Sequence, residues 1–220
     1  MKREFLVFLF FLITASLHAQ DNHPPFWKDI QAFKKQDSIT MPPKNAILFI
    51  GSSSFTRWKN VQDYFPEYPI INRGFGGSSL PDLIAYTEEI VFPYQPSQVV
   101  IYCGENDVAA SDTITATTVF NRFKILFEII RSRLPQIPVL FVSLKPSPSR
   151  WQRRETMLAV NDLVKRYLET KTNTVFVDVW PAMLGEDGLP VDALFVADKL
   201  HMTEKGYAIW QKALAPHLKK

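Results

Sequence analysis

The 220-residue chain predicts an α/β fold, a parallel sheet covered by helices on both faces. Three observations lead there. Five short runs, rich in β-branched and aromatic residues, are apolar at almost every position, as strands buried on both faces are. Between them lie segments with apolar residues three and four apart, the period of a helix with one buried face. After the runs come clusters of glycine, serine, asparagine and acidic residues. In parallel sheets, ligands and catalytic groups gather at the carboxyl ends of the strands.

The elements follow in order. Residues 1–19 pair Lys2 and Arg3 with an apolar run from Phe5 to Leu17 and small residues near Ala19. This is the pattern of a secretory signal peptide cut after Ala19, which predicts a secreted or periplasmic protein. The run is too short to span a bilayer comfortably, so no membrane insertion is expected after cleavage. No cysteine adjoins the cut, which argues against a lipid anchor. Residues 20–43 form a polar extension with one amphipathic stretch, PFWKDIQAFKKQD, read as a helix lying on the domain. Its Phe26, Trp27, Ile30 and Phe33 face inward, and Pro42 and Pro43 end it.

Residues 44–220 form the main domain. The strand runs are NAILFI (45–50), YPIIN (68–72), QVVIYC (98–103), PVLFVSL (138–144) and TVFVDVW (174–180). One helical face carries Val119, Phe123, Leu126, Phe127, Ile130 and Leu134. A second carries Met157, Val160, Leu163, Val164, Tyr167 and Leu168. A third, after Thr203, carries Tyr207, Trp210, Leu214 and Leu218.

Composition narrows the function. Apolar residues make up 46% and charged residues 21%, an ordinary globular balance. Residues 1–19 hold two cations and one anion, so their removal takes the formal charge from +3 to +2. That weak charge gives no reason to expect nucleic acid or an acidic membrane as partner. Cys103 is the only cysteine, so no internal disulfide is possible. His23, His201 and His217 are too scattered to suggest a metal site, and no cofactor is expected.

Four clusters sit at the strand ends: Gly51-Ser52-Ser53-Ser54, Asn72 to Ser79, Gly104-Glu105-Asn106-Asp107, and Asp198 to His201. Each alone has a plain reading as a turn, a cap or a core histidine. Together they place a nucleophile, backbone donors, an amide donor, a base and an acid at one sheet edge, as acyl transfer requires.

In this order and on this topology the four blocks resemble the SGNH (GDSL-like) serine esterases, over about residues 45 to 210. The resemblance implies a flavodoxin-like three-layer α/β/α sandwich with a five-stranded parallel sheet of order 2-1-3-4-5. It places the family's nucleophile on Ser53, its second-block glycine on Gly77, its asparagine on Asn106, and its acid and base on Asp198 and His201. Ser52 and Ser78 stand where the family usually has aspartates. The expected oxyanion donors are the N–H groups of Ser53 and Gly77 and the side-chain amide of Asn106. His201 is also the base by elimination, because His23 lies beside Pro24 and His217 at the chain's far end.

The expected activity is hydrolysis of short acyl esters of a small molecule or glycan. The alternatives are a lysophospholipase or thioesterase on the same fold, or an inactive flavodoxin-like or carbohydrate-binding module. Asp107 is expected to brace its loop, and Cys103 to pack. Lys145 and Arg150, in SLKPSPSRW, either border the site or are solvated charges of a surface loop.

Overall fold

The computed structural model of the protein describes residues 23–219. The signal peptide expected over residues 1–19 lies outside them. Five strands, β1 (Ile47–Gly51), β2 (Ile70–Gly74), β3 (Gln98–Tyr102), β4 (Val139–Val142) and β5 (Thr174–Val177), form one parallel sheet of order β2-β1-β3-β4-β5. Nine α-helices are described: α1 (Trp27–Ile39), α2 (Ser53–Thr56), α3 (Val61–Tyr64), α4 (Leu80–Ala85), α5 (Thr87–Ile90), α6 (Glu105–Ala110), α7 (Ala116–Arg133), α8 (Arg154–Glu169) and α9 (Glu204–Leu214). The protein is thus the three-layer, flavodoxin-like sandwich expected from the sequence. No helix among the described residues is long and apolar enough to cross a membrane.

Alternation along the strands divides the core in two. Leu48, Ile50, Val99, Ile101, Val139 and Phe141 face a layer built from α1, α4, α5, α7 and α8. Ile47, Phe49, Val100, Tyr102, Leu140 and Val142 face the other layer, where Phe55, Trp58, Tyr207 and Trp210 pack. The predicted helical faces are the buried ones: Val119, Phe123, Leu126, Phe127 and Ile130 on α7, and Tyr207, Trp210 and Leu214 on α9. Leu134, Leu163 and Tyr167 are only partly covered.

The strand boundaries shift from the apolar runs for reasons hydropathy does not carry. β2 continues through Arg73 and Gly74, which pair with Ile50 and Gly51. β5 stops at Val177, because Asp178 turns its carboxylate to accept the Trp180 N–H at 3.0 Å. Gly51 is required at the end of β1. Its φ is +153°, and a Cβ there would stand 2.0 Å from the Tyr102 carbonyl oxygen.

The predicted amphipathic helix is α1. Ile30 is buried, and Phe26 and Phe33 pack on the core, whereas Trp27 instead stacks on His23 at 3.7 Å between ring centroids. The helix is fastened by charge as well. Arg73, buried at the end of β2, pairs with Asp37 of α1, and Tyr94 Oη donates to the same carboxylate at 2.6 Å.

Candidate active site

β1 leaves the sheet and enters α2 within two residues. Ser52 is extended and occupies the N-cap position, and its N–H donates to the Tyr102 carbonyl at 3.1 Å. Ser53 is therefore the first residue of α2, where backbone N–H groups have no partner inside the helix. Among the described residues, neither the Ser53 nor the Gly77 N–H has a backbone acceptor. Gly77 has φ +87°, a left-handed conformation that a side chain would strain, and it lies against the ring of Phe26.

The Ser53 hydroxyl lies 2.8 Å from His201 Nε2. His201 and Asp198 come from the loop between β5 and α9, folded into a tight turn. Asp198 Oδ1 accepts the N–H groups of Leu200 at 3.0 Å and His201 at 2.9 Å, while Lys199 takes φ 55°. The turn brings Asp198 Oδ2 to 2.6 Å from His201 Nδ1. Burial works against ionising Asp198, but the two N–H groups and the imidazole outweigh it and hold the carboxyl well below the usual carboxylate range. An ionised carboxylate only accepts, so Nδ1 carries the ring proton and Nε2 turns its lone pair to Ser53. Arg57, at the end of α2, adds its guanidinium 3.6 Å from Asp198 Oδ2.

Asn106 sits on the first turn of α6, and every polar atom of its amide has a protein partner. Nδ2 donates to Ser52 Oγ at 2.8 Å and to the Ser78 carbonyl at 2.9 Å. Oδ1 accepts from Arg150 Nη2 at 2.8 Å. The two serines that replace the family aspartates are thus the two residues that receive Asn106. Ser78 is held in turn by its hydroxyl, which donates to the Gly51 carbonyl at 3.2 Å. Asp107 braces, as expected, accepting from Leu80 N at 2.9 Å and from Arg122 at 2.7 Å. Cys103 is buried, and burial pushes its thiol well up, which suits a packing role.

Behind Asn106 lies a charged cluster that sequence reasoning missed. Glu105 is buried at the start of α6 and accepts from Tyr102 Oη at 2.5 Å, Lys145 Nζ at 2.6 Å and Ser147 Oγ at 3.2 Å. Lys145 is only 1% exposed, so of the two readings its loop left open it is not the solvated surface charge. Burial favours a neutral Glu105, but Lys145 and Arg150 overcome it and hold the carboxyl low. Asn161 of α8 clamps this loop, its amide bonding both the N–H and the carbonyl of Leu144.

Ser53, Arg57, Gly77, Asn106, Arg150 and His201 line one open cavity of about 340 Å³, with Thr56, Gly76 and Leu200 completing its walls. The structure therefore brings all five sequence-predicted residues, Ser53, Gly77, Asn106, Asp198 and His201, to one sheet edge. Arg57 and Arg150 join them. Among the described residues, no group of three or more His, Cys, Asp or Glu side chains is placed to hold a metal ion.

Comparison with known proteins bears on the family and the fold. The model of the GDSL-like lipase/acylhydrolase family matches residues 37–209. No curated protein matches the chain by sequence. Solved structures do match by fold. A Streptococcus pneumonia protein provisionally called a platelet activating factor superposes with a TM-score of 0.77 at 19% identity, covering 87% of this chain and 92% of that one. A provisional acylhydrolase from Bacteroides fragilis gives 0.74 at 23% identity, with 86% and 95% covered. A catalytic mutant of an acetylxylan esterase from Geobacillus stearothermophilus gives 0.62 at 20% identity, with 80% and 94% covered.

Proposed function

Since the chain belongs to the GDSL-like lipase/acylhydrolase family, we propose that it is an exported serine esterase that cleaves short acyl esters, acetyl groups on carbohydrate among them. The observation that carries this reading is the continuous line Ser53 Oγ–His201 Nε2, 2.8 Å, and His201 Nδ1–Asp198 Oδ2, 2.6 Å, opening on one cavity.

In the proposed reaction Ser53 Oγ attacks the ester carbonyl as its proton passes to His201 Nε2. The ionised Asp198 holds the ring in the accepting tautomer and stabilises the imidazolium that forms. The carbonyl oxygen gains negative charge and is received by the N–H groups of Ser53 and Gly77, a role supported by their lack of a backbone acceptor among the described residues. Asn106 Nδ2 is the third donor. Its hydrogen now rests on Ser52 Oγ, an uncharged hydroxyl, and an oxyanion is the stronger acceptor. The tetrahedral centre collapses, the C–O bond to the alcohol breaks, and His201 returns its proton to the leaving oxygen. A water activated by His201 then cleaves the acyl-serine by the same steps in reverse.

The preference for short chains is supported by the cavity, whose roughly 340 Å³ is small among ligand sites and includes Gly76, Gly77 and Thr56 on its walls. The acetylxylan esterase among the structural neighbours makes acetyl the acyl group to test first. The test is a series of aryl esters from acetate to palmitate, followed by acetylated xylo-oligosaccharides. Turnover should be fastest at acetate and fall steeply beyond butyrate. A maximum at long chains would replace this reading with a lipase. Export is tested on the same footing: the protein recovered from its native cells should begin at or near Gln20, outside the inner membrane.

A further inference from the structure

The charged cluster behind Asn106 does not balance. Glu105 is one anion facing two cations, Lys145 with Nζ at 2.6 Å and Arg150 with Nη1 at 3.8 Å. The neighbouring carboxylates are already engaged, Asp107 by Arg122 and Asp198 by His201 and Arg57. Of the two cations, Lys145 is sealed off from solvent, and Arg150 is the one on the cavity wall, its side chain 18% exposed. One positive charge is therefore left at the cavity, and it sits on a guanidinium whose Nη2 donates to Asn106 Oδ1 at 2.8 Å.

That hydrogen bond has two consequences. A guanidinium carries only donors, so it favours the Asn106 amide with its oxygen inward as acceptor and disfavours the flipped form, whose NH₂ would face it. The same contact places a cation on the amide oxygen, which draws electron density from the amide and strengthens its N–H as a donor. The N–H so strengthened is the one beside Ser52, next to the nucleophile.

We propose that Arg150, held from behind by the buried Glu105–Lys145 pair, is a positioning residue for ester hydrolysis, fixing and polarising the Asn106 amide through its oxygen so that the N–H meets the oxyanion. The proposal rests on the esterase reading above. Arg150 need not touch substrate for this, which separates it from a residue that binds an anionic group on the substrate.

The test is a double-mutant cycle on p-nitrophenyl acetate, an uncharged ester with no anionic group for Arg150 to bind. Wild-type turnover, and its loss in Ser53→Ala, examine the esterase reading by themselves, and an inactive wild type would sink both. With turnover in hand, Arg150→Met should lower kcat about 10- to 100-fold, less than the 10²–10³ of losing an oxyanion donor outright, with KM within about twofold. In an Asn106→Ala background the same change should cost less than about threefold, because its route is gone. Millimolar guanidinium should restore part of the loss in Arg150→Ala and none in Asn106→Ala. A readout free of activity is the Asn106 side-chain amide pair in a heteronuclear NMR spectrum, identified by its absence in Asn106→Ala. It should shift in Arg150→Met and return towards its place in Arg150→Lys. Equal losses in both backgrounds, a rise in KM at constant kcat, or an unmoved amide pair would each overturn the proposal while leaving the esterase reading intact.

Discussion

Lys145→Met tests the buried pair on which the site leans. The substitution roughly preserves the volume of the side chain and removes its charge. Glu105, buried, keeps Tyr102 Oη at 2.5 Å and Ser147 Oγ at 3.2 Å, but its nearest cation becomes Arg150 at 3.8 Å. Breaking a buried pair by removing one partner typically costs about 3–5 kcal/mol, a large share of the roughly 5–15 kcal/mol that holds a domain folded. In the wild type, Lys145 and Arg150 hold Glu105 below its usual range in spite of burial. The stability this contributes is present above the unfolded carboxyl value, near pH 4.3, and is lost only as pH falls through the lower folded value. Without Lys145, burial is opposed more weakly, and the folded value moves up. The penalty should then be larger at pH 8, where the carboxylate must stay charged, than at pH 5. Adding Glu105→Gln should recover most of it, since a pair removed whole is far cheaper than a pair cut in half. Urea unfolding of both variants at the two pH values measures this. A single variant within about 1 kcal/mol of wild type, or a double variant no better than the single, would show that the two groups are not an ionised pair.

Three further outcomes follow from the geometry. Ser53→Ala should lower turnover at least about 10³-fold and abolish fluorophosphonate labelling, whereas Ser52→Ala and Ser54→Ala should cost about tenfold, read as kcat on an aryl acetate; labelling that survives Ser53→Ala would move the nucleophile elsewhere. Because Asp198 is held ionised far into the acid range, the acid limb of log kcat/KM should fall with a slope of one, for a single protonation; a slope approaching two in a pH series would show that Asp198 titrates with the site. Gly51→Ala should destabilise the fold by about 3 kcal/mol in thermal or urea unfolding, from overpacking against the Tyr102 carbonyl and a left-handed φ, and a near-neutral result would mean that β1 has room to shift from β3.

The sheet was legible because its strands are buried on both faces and carry almost nothing but apolar residues, so length and composition suffice to mark them. The site was legible for a related reason. A parallel sheet gathers its strand ends, so Ser53, Asn106 and His201 could be placed together although they are far apart in the chain. What hydropathy hid was pairing. Arg73 and Gly74 extend β2 because β1 offers them partners, which no local pattern records. The reading of Lys145 stayed open between a site border and a solvated charge because its partner lies forty residues earlier, on a helix whose contact with that loop exists only once β3 and β4 are neighbours. Arg57 was missed outright. It becomes part of the site only when the turn at Asp198 folds against the end of α2.

The three consecutive serines show how one short stretch acquires three separate roles. Ser53 faces His201 from the first position of α2. Ser54 is buried, its carbonyl accepts from Tyr207 Oη at 2.8 Å, and it is not among the residues that line the cavity. Ser52 receives Asn106, at the position where the family usually carries an aspartate. The difference is one of charge. A carboxylate at position 52 would accept the same N–H, compete with an oxyanion for it, and supply the negative charge that the Glu105, Lys145 and Arg150 cluster lacks. A hydroxyl accepts without charge, so the excess positive charge stays at the cavity, free for the oxyanion that the proposed reaction would form there. On the proposed reaction, that order favours the transition state, because a charge already neutralised in the ground state has less to offer when the carbonyl oxygen becomes negative; an aspartate at position 52 forgoes this contribution without removing the other donors.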